Sequence, residues 1–127
     1  MTFYAFIAIG IGSAIGAWLR WILGIWLNPV LPNLPLGTLS VNLAGGYLIG
    51  IAVAFYMHHP GYSAELRLFI ITGFLGGLTT FSTFSAETVS LLLRGQLTSA
   101  ALIVAAHLGG SITMTFLGVQ TFKWLHQ

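Results

Sequence analysis

No cysteine occurs anywhere in the chain, which removes disulfides, thiolate nucleophiles and thiolate metal sites together and leaves the redox compartment undetermined. Charge is nearly as scarce. Four Lys or Arg and two Asp or Glu make up 5% of the 127 residues, against about a quarter in ordinary soluble domains. The formal net charge of +2 therefore describes no basic patch, and a pI near 9.4 does not point to nucleic acid. With only Glu65 and Glu87 as carboxylates and no nucleophile beside a base, no catalytic constellation assembles, so the chain is not expected to be an enzyme. His58 and His59 are adjacent but lack a third ligand at metal spacing, and they read as solvated residues at a membrane interface. No positive segment precedes the first apolar run, so that run is expected to stay in the membrane rather than be cleaved as a signal peptide.

What the chain has in abundance is apolar length. Hydrophobic residues make up 57% and the mean hydropathy is +0.94, which makes it an integral membrane protein of the all-α class. The pattern predicts one four-span transmembrane domain over 1–127, with spans near 3–27, 37–57, 66–93 and 97–125. The first span carries Gly12, Gly16 and Arg20 at four-residue spacing, a small-xxx-small face followed by a cation. Trp18, Trp21 and Trp26 crowd its second half as interfacial anchors, and Asn28-Pro29 ends it. The second span has no charge but holds Asn42 among Gly45, Gly46 and Gly50. A carboxamide there needs an interhelical partner or a watery neighbour, and both readings stand: a hydrogen bond between spans, or a donor aimed at a passing anion.

The third span is the outlier. Gly73 to Glu87 reads Gly-Phe-Leu-Gly-Gly-Leu-Thr-Thr-Phe-Ser-Thr-Phe-Ser-Ala-Glu, with glycines that weaken a helix and hydroxyls that compete for its backbone. Irregular backbone survives at membrane depth only when buried in protein or lining a watery cavity. As one helix the span would run roughly 42 Å, longer than the ~30 Å hydrocarbon core, so a break in the third helix is predicted. Phe81 and Phe84 lie three apart, either as core packing or as a pair presenting ring edges. Glu87 sits toward the far interface, where snorkelling, pairing with Arg, or a part in transport are all open. In the fourth span His107, Ser111 and Thr115 recur every four residues and form one polar stripe facing a hydrated or ion-conducting line.

Lys and Arg divide evenly between the two sides, Arg20 and Arg94 against Arg67 and Lys123, so the positive-inside rule selects no orientation. Two copies inserted in opposite senses could pair about an axis in the membrane plane, which would also hide the polar faces of spans two to four from lipid. The donors available, namely the Asn42 amide, hydroxyls, freed backbone amides and phenyl edges, suit a small anion better than a cation.

At these residues the sequence resembles the Fluc/CrcB family of fluoride channels. Gly73 to Glu87, Val41-Asn-Leu-Ala-Gly-Gly46 and Gly16-Ala-Trp-Leu-Arg20 carry the likeness, which extends over essentially the whole chain. The resemblance implies an antiparallel, dual-topology homodimer in the bacterial cytoplasmic (inner) membrane, in contact with lipid, that exports fluoride ion passively and relieves its toxicity. It implies that Phe81 and Phe84 line the fluoride pathways with ring edges and that Asn42 is a pore-lining amide. Gly76 and Thr79 would lend backbone carbonyls from both subunits to a central structural sodium ion. Ser82, Thr83, Ser111 and Thr115 would belong to the polar lining, with Arg20 supporting a vestibule. The place of His107 in the pathway rests on its spacing alone, as does a supporting role for Glu87.

The rival reading is a small proton-coupled multidrug exporter of four spans, which needs a membrane-embedded carboxylate. Only Glu87 could serve. A third reading is a non-transporting assembly subunit held together by the pairs Gly12/Gly16, Gly46/Gly50 and Gly73/Gly77.

Overall fold

A computed structural model describes all residues, 1–127. It is all-helical. Helix α1 spans Phe3–Leu27, α2 Leu36–His58, α3 Ala64–Arg67, α4 Gly76–Leu78, α5 Ser82–Leu93 and α6 Leu97–Leu125. A π-helical turn, Leu68–Leu75, joins α3 to α4, and these pieces with α5 make up the third of four segments long and apolar enough to cross a membrane.

Local chemistry accounts for the ends. Thr2 Oγ1 accepts from Ala5 N–H at 3.0 Å and caps α1, and Ser63 Oγ accepts from Leu66 N–H at 3.2 Å, so α3 begins at Ala64. The start of α2 follows Pro35, which offers no side-chain cap. Asn28 supplies one from across the loop, its Oδ1 accepting from Gly37 N–H at 2.7 Å and Thr38 N–H at 3.2 Å. The turn from α5 to α6 is closed by Gly95 at φ +74°, the one left-handed residue of the chain.

Two glycine seams bring the spans together. On one, Gly12 and Gly16 of α1 face Gly73, Phe74 and Leu78 of the third span, and a Cβ built on Gly77 would strike the Ser13 backbone. On the other, Gly46 and Gly50 of α2 face the Ser111 and Thr115 backbone of α6, and Gly118 of α6 answers against Tyr47 and Ile51. These are backbone-to-backbone approaches, the contact that holds helices together where lipid is as apolar as the side chains. All three glycine pairs that an assembly subunit would use are thus spent inside the chain.

Only 20 of 127 residues are buried, and large apolar side chains such as Phe6, Trp21 and Phe116 point outward. That inversion belongs to a protein whose solvent is lipid. The apolar core is correspondingly small. One cluster packs Phe84 and Leu91 of α5 against Ala100 and Ile103 of α6, and another sets Val41 of α2 against Leu75 and Leu78 of the third span.

The seams generate a prediction. Gly77→Val should destabilise the fold by about 1–3 kcal/mol through overpacking, while Gly10→Ala, which meets nothing within 4 Å, should leave it unchanged. Thermal aggregation of detergent-purified protein measures both, and equal midpoints would mean that the seam yields freely.

Candidate functional site: an interrupted span and its cavity

Beyond Leu78 the third span leaves the helix. Thr79 takes φ −88° and ψ 157°, an extended conformation, and regular helix resumes at Ser82. Each backbone group released at this point needs a partner, because none is available from lipid.

Asn42 of α2 supplies two of them. Its Oδ1 accepts from the Thr80 N–H at 2.8 Å, and its Nδ2 donates to the Thr80 carbonyl at 2.8 Å. The same Nδ2 lies 2.9 Å from Nδ1 of His107 on α6. Arg20 of α1 reaches in from the other side, donating from Nε to the Gly77 carbonyl at 3.0 Å. Thr79 Oγ1 donates to the Leu75 carbonyl at 2.8 Å, and Thr80 Oγ1 accepts from Thr83 N–H at 3.1 Å, which starts α5. The first and second spans therefore bond directly to the stretch from Gly77 to Thr80, and the fourth is tied to it through Asn42. Three carbonyls are left over: that of Gly76, whose helical donor Thr80 N–H has gone to Asn42, and those of Leu78 and Thr79.

A cavity of about 510 Å³ lies beside this point, lined by Asn42, Gly76, Thr79, Phe81, Phe84, His107 and Ser111 among others. Phe84 is buried whereas Phe81 is 71% exposed. Their rings meet edge to face, 5.4 Å apart at 72°, and Phe84 stacks on the His107 imidazole at 4.4 Å and 26°.

Not every residue singled out in the sequence reaches that cavity. Thr115 turns its hydroxyl back to the Ser111 carbonyl at 3.0 Å, packing beside Gly46. Ser82 is exposed, within 3.4 Å of Thr80 Oγ1. Thr83 instead joins Arg20, Asn28 and Thr38 around a second cavity of about 380 Å³. It also borders a third, of about 240 Å³, with Glu87 and Arg94. Glu87 Oε2 accepts from Thr38 Oγ1 at 3.1 Å, while Oε1 is buried without a partner. The partner of Glu87 within the chain is a hydroxyl, not an arginine. His58 and His59 each place Nδ1 on the carbonyl four residues back, Ala54 and Phe55.

Sequence reasoning passed over three residues of this site. Thr80 holds the interruption in place, and nothing in a Thr-Thr pair distinguishes it from Thr79. Asn28 reads only as the end of the first span and Thr38 carries no signal of its own, yet they position α2 and Glu87.

Comparison with known proteins bears on what this site serves. Residues 7–119 match the family profile described as "CrcB-like protein, Camphor Resistance (CrcB)". A relative from Nitrosospira multiformis, named "Fluoride-specific ion channel FluC", is 61% identical over 127 residues, covering 100% of this chain and 99% of that protein. Proteins of the same name from Thiobacillus denitrificans and Ralstonia pickettii are 58% and 56% identical, over 95% and 97% of this chain and 98% of each relative.

The Asn42 clamp can be read out directly. Asn42→Ala leaves the Thr80 N–H and carbonyl unpaired, at about 1–3 kcal/mol each. The Thr80 amide should then exchange with deuterium faster by at least about tenfold. Unchanged protection at Thr80 would show that another group holds it.

Proposed function

The chain belongs to the CrcB-like family, and on that premise we propose that it is a fluoride-selective passive channel that lets fluoride leave a bacterial cytoplasm across the inner membrane, relieving fluoride toxicity. It is a transporter and not an enzyme. The observation that carries the reading is the convergence of an interrupted span, donor groups and phenyl rings on one cavity, in a chain more than half identical to proteins named for this ion.

The cavity's chemistry suits an anion. Moving a carboxylate-sized ion into a dry medium costs on the order of 20 kcal/mol, and a smaller ion more, so the wall must replace water with closely spaced donors. Ser111 and His107 offer such groups, and the edges of Phe81 and Phe84 carry the positive part of the ring quadrupole. No carboxylate lines it, and Glu87 borders a different cavity. Asn42 stands on the wall with its amide already engaged, so its part is to hold Thr80 and His107 in place. Arg20 and Thr83 form a vestibule around the second cavity. Ser82 and Thr115 lie outside the largest cavity and would contribute to a polar lining only beyond it.

The channel is a homodimer of copies inserted in opposite senses. The balanced charges impose no orientation, and beside the cavity Phe81 and Ile112 are each 71% exposed, a surface that a second copy would cover. In this reading the interruption at Thr79 is a functional break of the third span. The leftover carbonyls of Gly76 and Thr79 are hard oxygen donors of the type that takes sodium. They fit the structural ion implied at the dimer centre, where a sodium ion would supply fixed positive charge between the subunits.

Liposomes loaded with potassium fluoride and potassium chloride and treated with valinomycin test the reading. Fluoride should escape rapidly while chloride is retained. Phe81→Ile and Phe84→Ile should each cut fluoride flux by about tenfold or more with the dimer intact, and Glu87→Gln should retain it. Flux abolished by Glu87→Gln together with proton-coupled cation export would establish the exporter instead. Prolonged exchange of sodium for a bulky organic cation should raise the monomer fraction on size-exclusion chromatography. A dimer unaffected after full exchange would remove the ion from the account.

A further inference from the structure

The break in the third span falls on one peptide bond. Thr79 still closes the helix before it, its N–H donating to the Leu75 carbonyl at 3.1 Å. Beyond it, Ser85 N–H is the first amide of α5 to reach a main-chain acceptor, the Phe81 carbonyl at 2.9 Å. A continuous helix would pair Thr80 N–H with the Gly76 carbonyl and Thr83 N–H with the Thr79 carbonyl. Both pairings are pre-empted at Thr80. Its N–H goes to Asn42 Oδ1 at 2.8 Å, and its Oγ1 accepts from Thr83 N–H at 3.1 Å, the reach of a threonine that caps a helix three residues before its bonded amide. A side-chain cap of this kind competes directly with continuation of the helix. The Gly77 carbonyl is closed by Arg20. That of Leu78 is open for a different reason, since Ser82 N–H takes no main-chain acceptor.

The clamp on Thr80 also sets a direction. The Thr79–Thr80 peptide is trans, so its carbonyl points opposite to its N–H. With the N–H held by Asn42 of α2, the Thr79 oxygen is aimed away from Asn42. Gly76 is exposed, and a Cβ built there would meet nothing nearer than the Ile71 oxygen at 3.7 Å, so the space beside its main chain is open. The two threonines divide the work although their side chains are identical. Thr79 turns its hydroxyl back to the Leu75 carbonyl at 2.8 Å, and only Thr80 uses its hydroxyl forward.

We propose that Thr80 is the positioning residue of the sodium site: its amide, held by Asn42, leaves the Gly76 carbonyl open, and its hydroxyl, by taking Thr83 N–H, leaves the Thr79 carbonyl open. The inference rests on the dimer-centre sodium ion of the proposed function and adds to it the residue that makes its oxygen ligands available. Main-chain carbonyls of interrupted helices are the groups that hold sodium at membrane depth. Without the cap, Thr83 N–H has the Thr79 carbonyl as its acceptor in helical order, and the ligand is withdrawn into the helix.

The test uses the full chain and two variants. Thr80→Val keeps the branched shape and removes the hydroxyl, whereas Thr80→Ser keeps the hydroxyl. After prolonged exchange, replacing sodium by N-methylglucamine should raise the dimer dissociation constant of the unaltered chain and of Thr80→Ser by about tenfold or more. Thr80→Val should form a weak dimer in both media, with its dependence on sodium lost. A Thr80→Val dimer that is still strengthened by sodium as much as the unaltered one overturns the proposal, because a merely structural role would weaken both media alike. Thr80→Ser behaving as Thr80→Val does the same. A second reading needs no variant to fold. Thr79-Thr80 is the only Thr-Thr step in the chain, so threonine labelled with ¹³C in its carbonyl and ¹⁵N in its amide gives one directly bonded pair. In lipid bilayers the ¹³C resonance of that pair should move when N-methylglucamine replaces sodium. A resonance indifferent to the exchange, in a dimer that depends on sodium, removes the Thr79 carbonyl from the site and overturns the inference. An unaltered dimer indifferent to sodium after full exchange would instead bring down the ion itself, and this inference with it.

Discussion

A peptide group freed from its helix in the middle of a bilayer has no water to turn to, and that constraint organises the whole molecule. The third span releases several such groups between Gly76 and Phe81. Asn42 from α2 and Arg20 from α1 both reach into that point. His107 from α6 then holds Asn42. The stretch from Gly77 to Thr80 is thus the hub at which all four spans are tied, the fourth through Asn42.

The glycine seams follow from the same need. Side chains as short as that of Asn42 can bridge to Thr80 only if the helices run unusually close. Gly45 of α2 lies where any Cβ would meet the Thr79 methyl. The Gly46 and Gly50 seam holds α6 against α2, which brings His107 within 2.9 Å of the same carboxamide. Close backbone approach replaces the hydrophobic driving force that lipid removes. It also permits a polar cluster that is satisfied almost entirely within the chain. The exceptions include the carbonyls of Gly76, Leu78 and Thr79, Nε2 of His107 and Oε1 of Glu87 near the site, with the Tyr56 hydroxyl and Gln96 Oε1 buried and unpartnered elsewhere. Groups left open among so many closed ones are where an ion or a second subunit has something to bind.

The three cavities divide the labour between them. The largest is lined by donors and phenyl rings without a carboxylate. The second carries the Arg20 cation with the hydroxyls of Thr38 and Thr83. The third holds Glu87 beside Arg94. Thr83 borders both of the smaller ones, so the α5 turn that follows the interruption separates an anion-suited wall from the charged ends of the span.

The sequence alone determined a good deal. Four apolar runs with few charges set the membrane class and the number of spans, because backbone and bilayer thickness leave helices as the only solution. Glycine and hydroxyl enrichment between Gly73 and Glu87 marked the span that would not run evenly, and the Asn42 to Gly46 stretch marked its partner. What composition and spacing could not decide was pairing in space. The Asn42 amide could equally have been an interhelical bond or a free donor, and the fold engages it on Thr80 and His107. The stripe of His107, Ser111 and Thr115 reads as one line at helical spacing. In three dimensions His107 and Ser111 reach the cavity, while the Thr115 hydroxyl bends back to its own helix. Thr80 is indistinguishable from Thr79 by residue type, and only the approach of α2 assigns one its clamp and leaves the other its carbonyl. Hydrogen-bond direction is a property of atoms brought within 3 Å, and sequence order contains the donors and acceptors without saying which of them will meet.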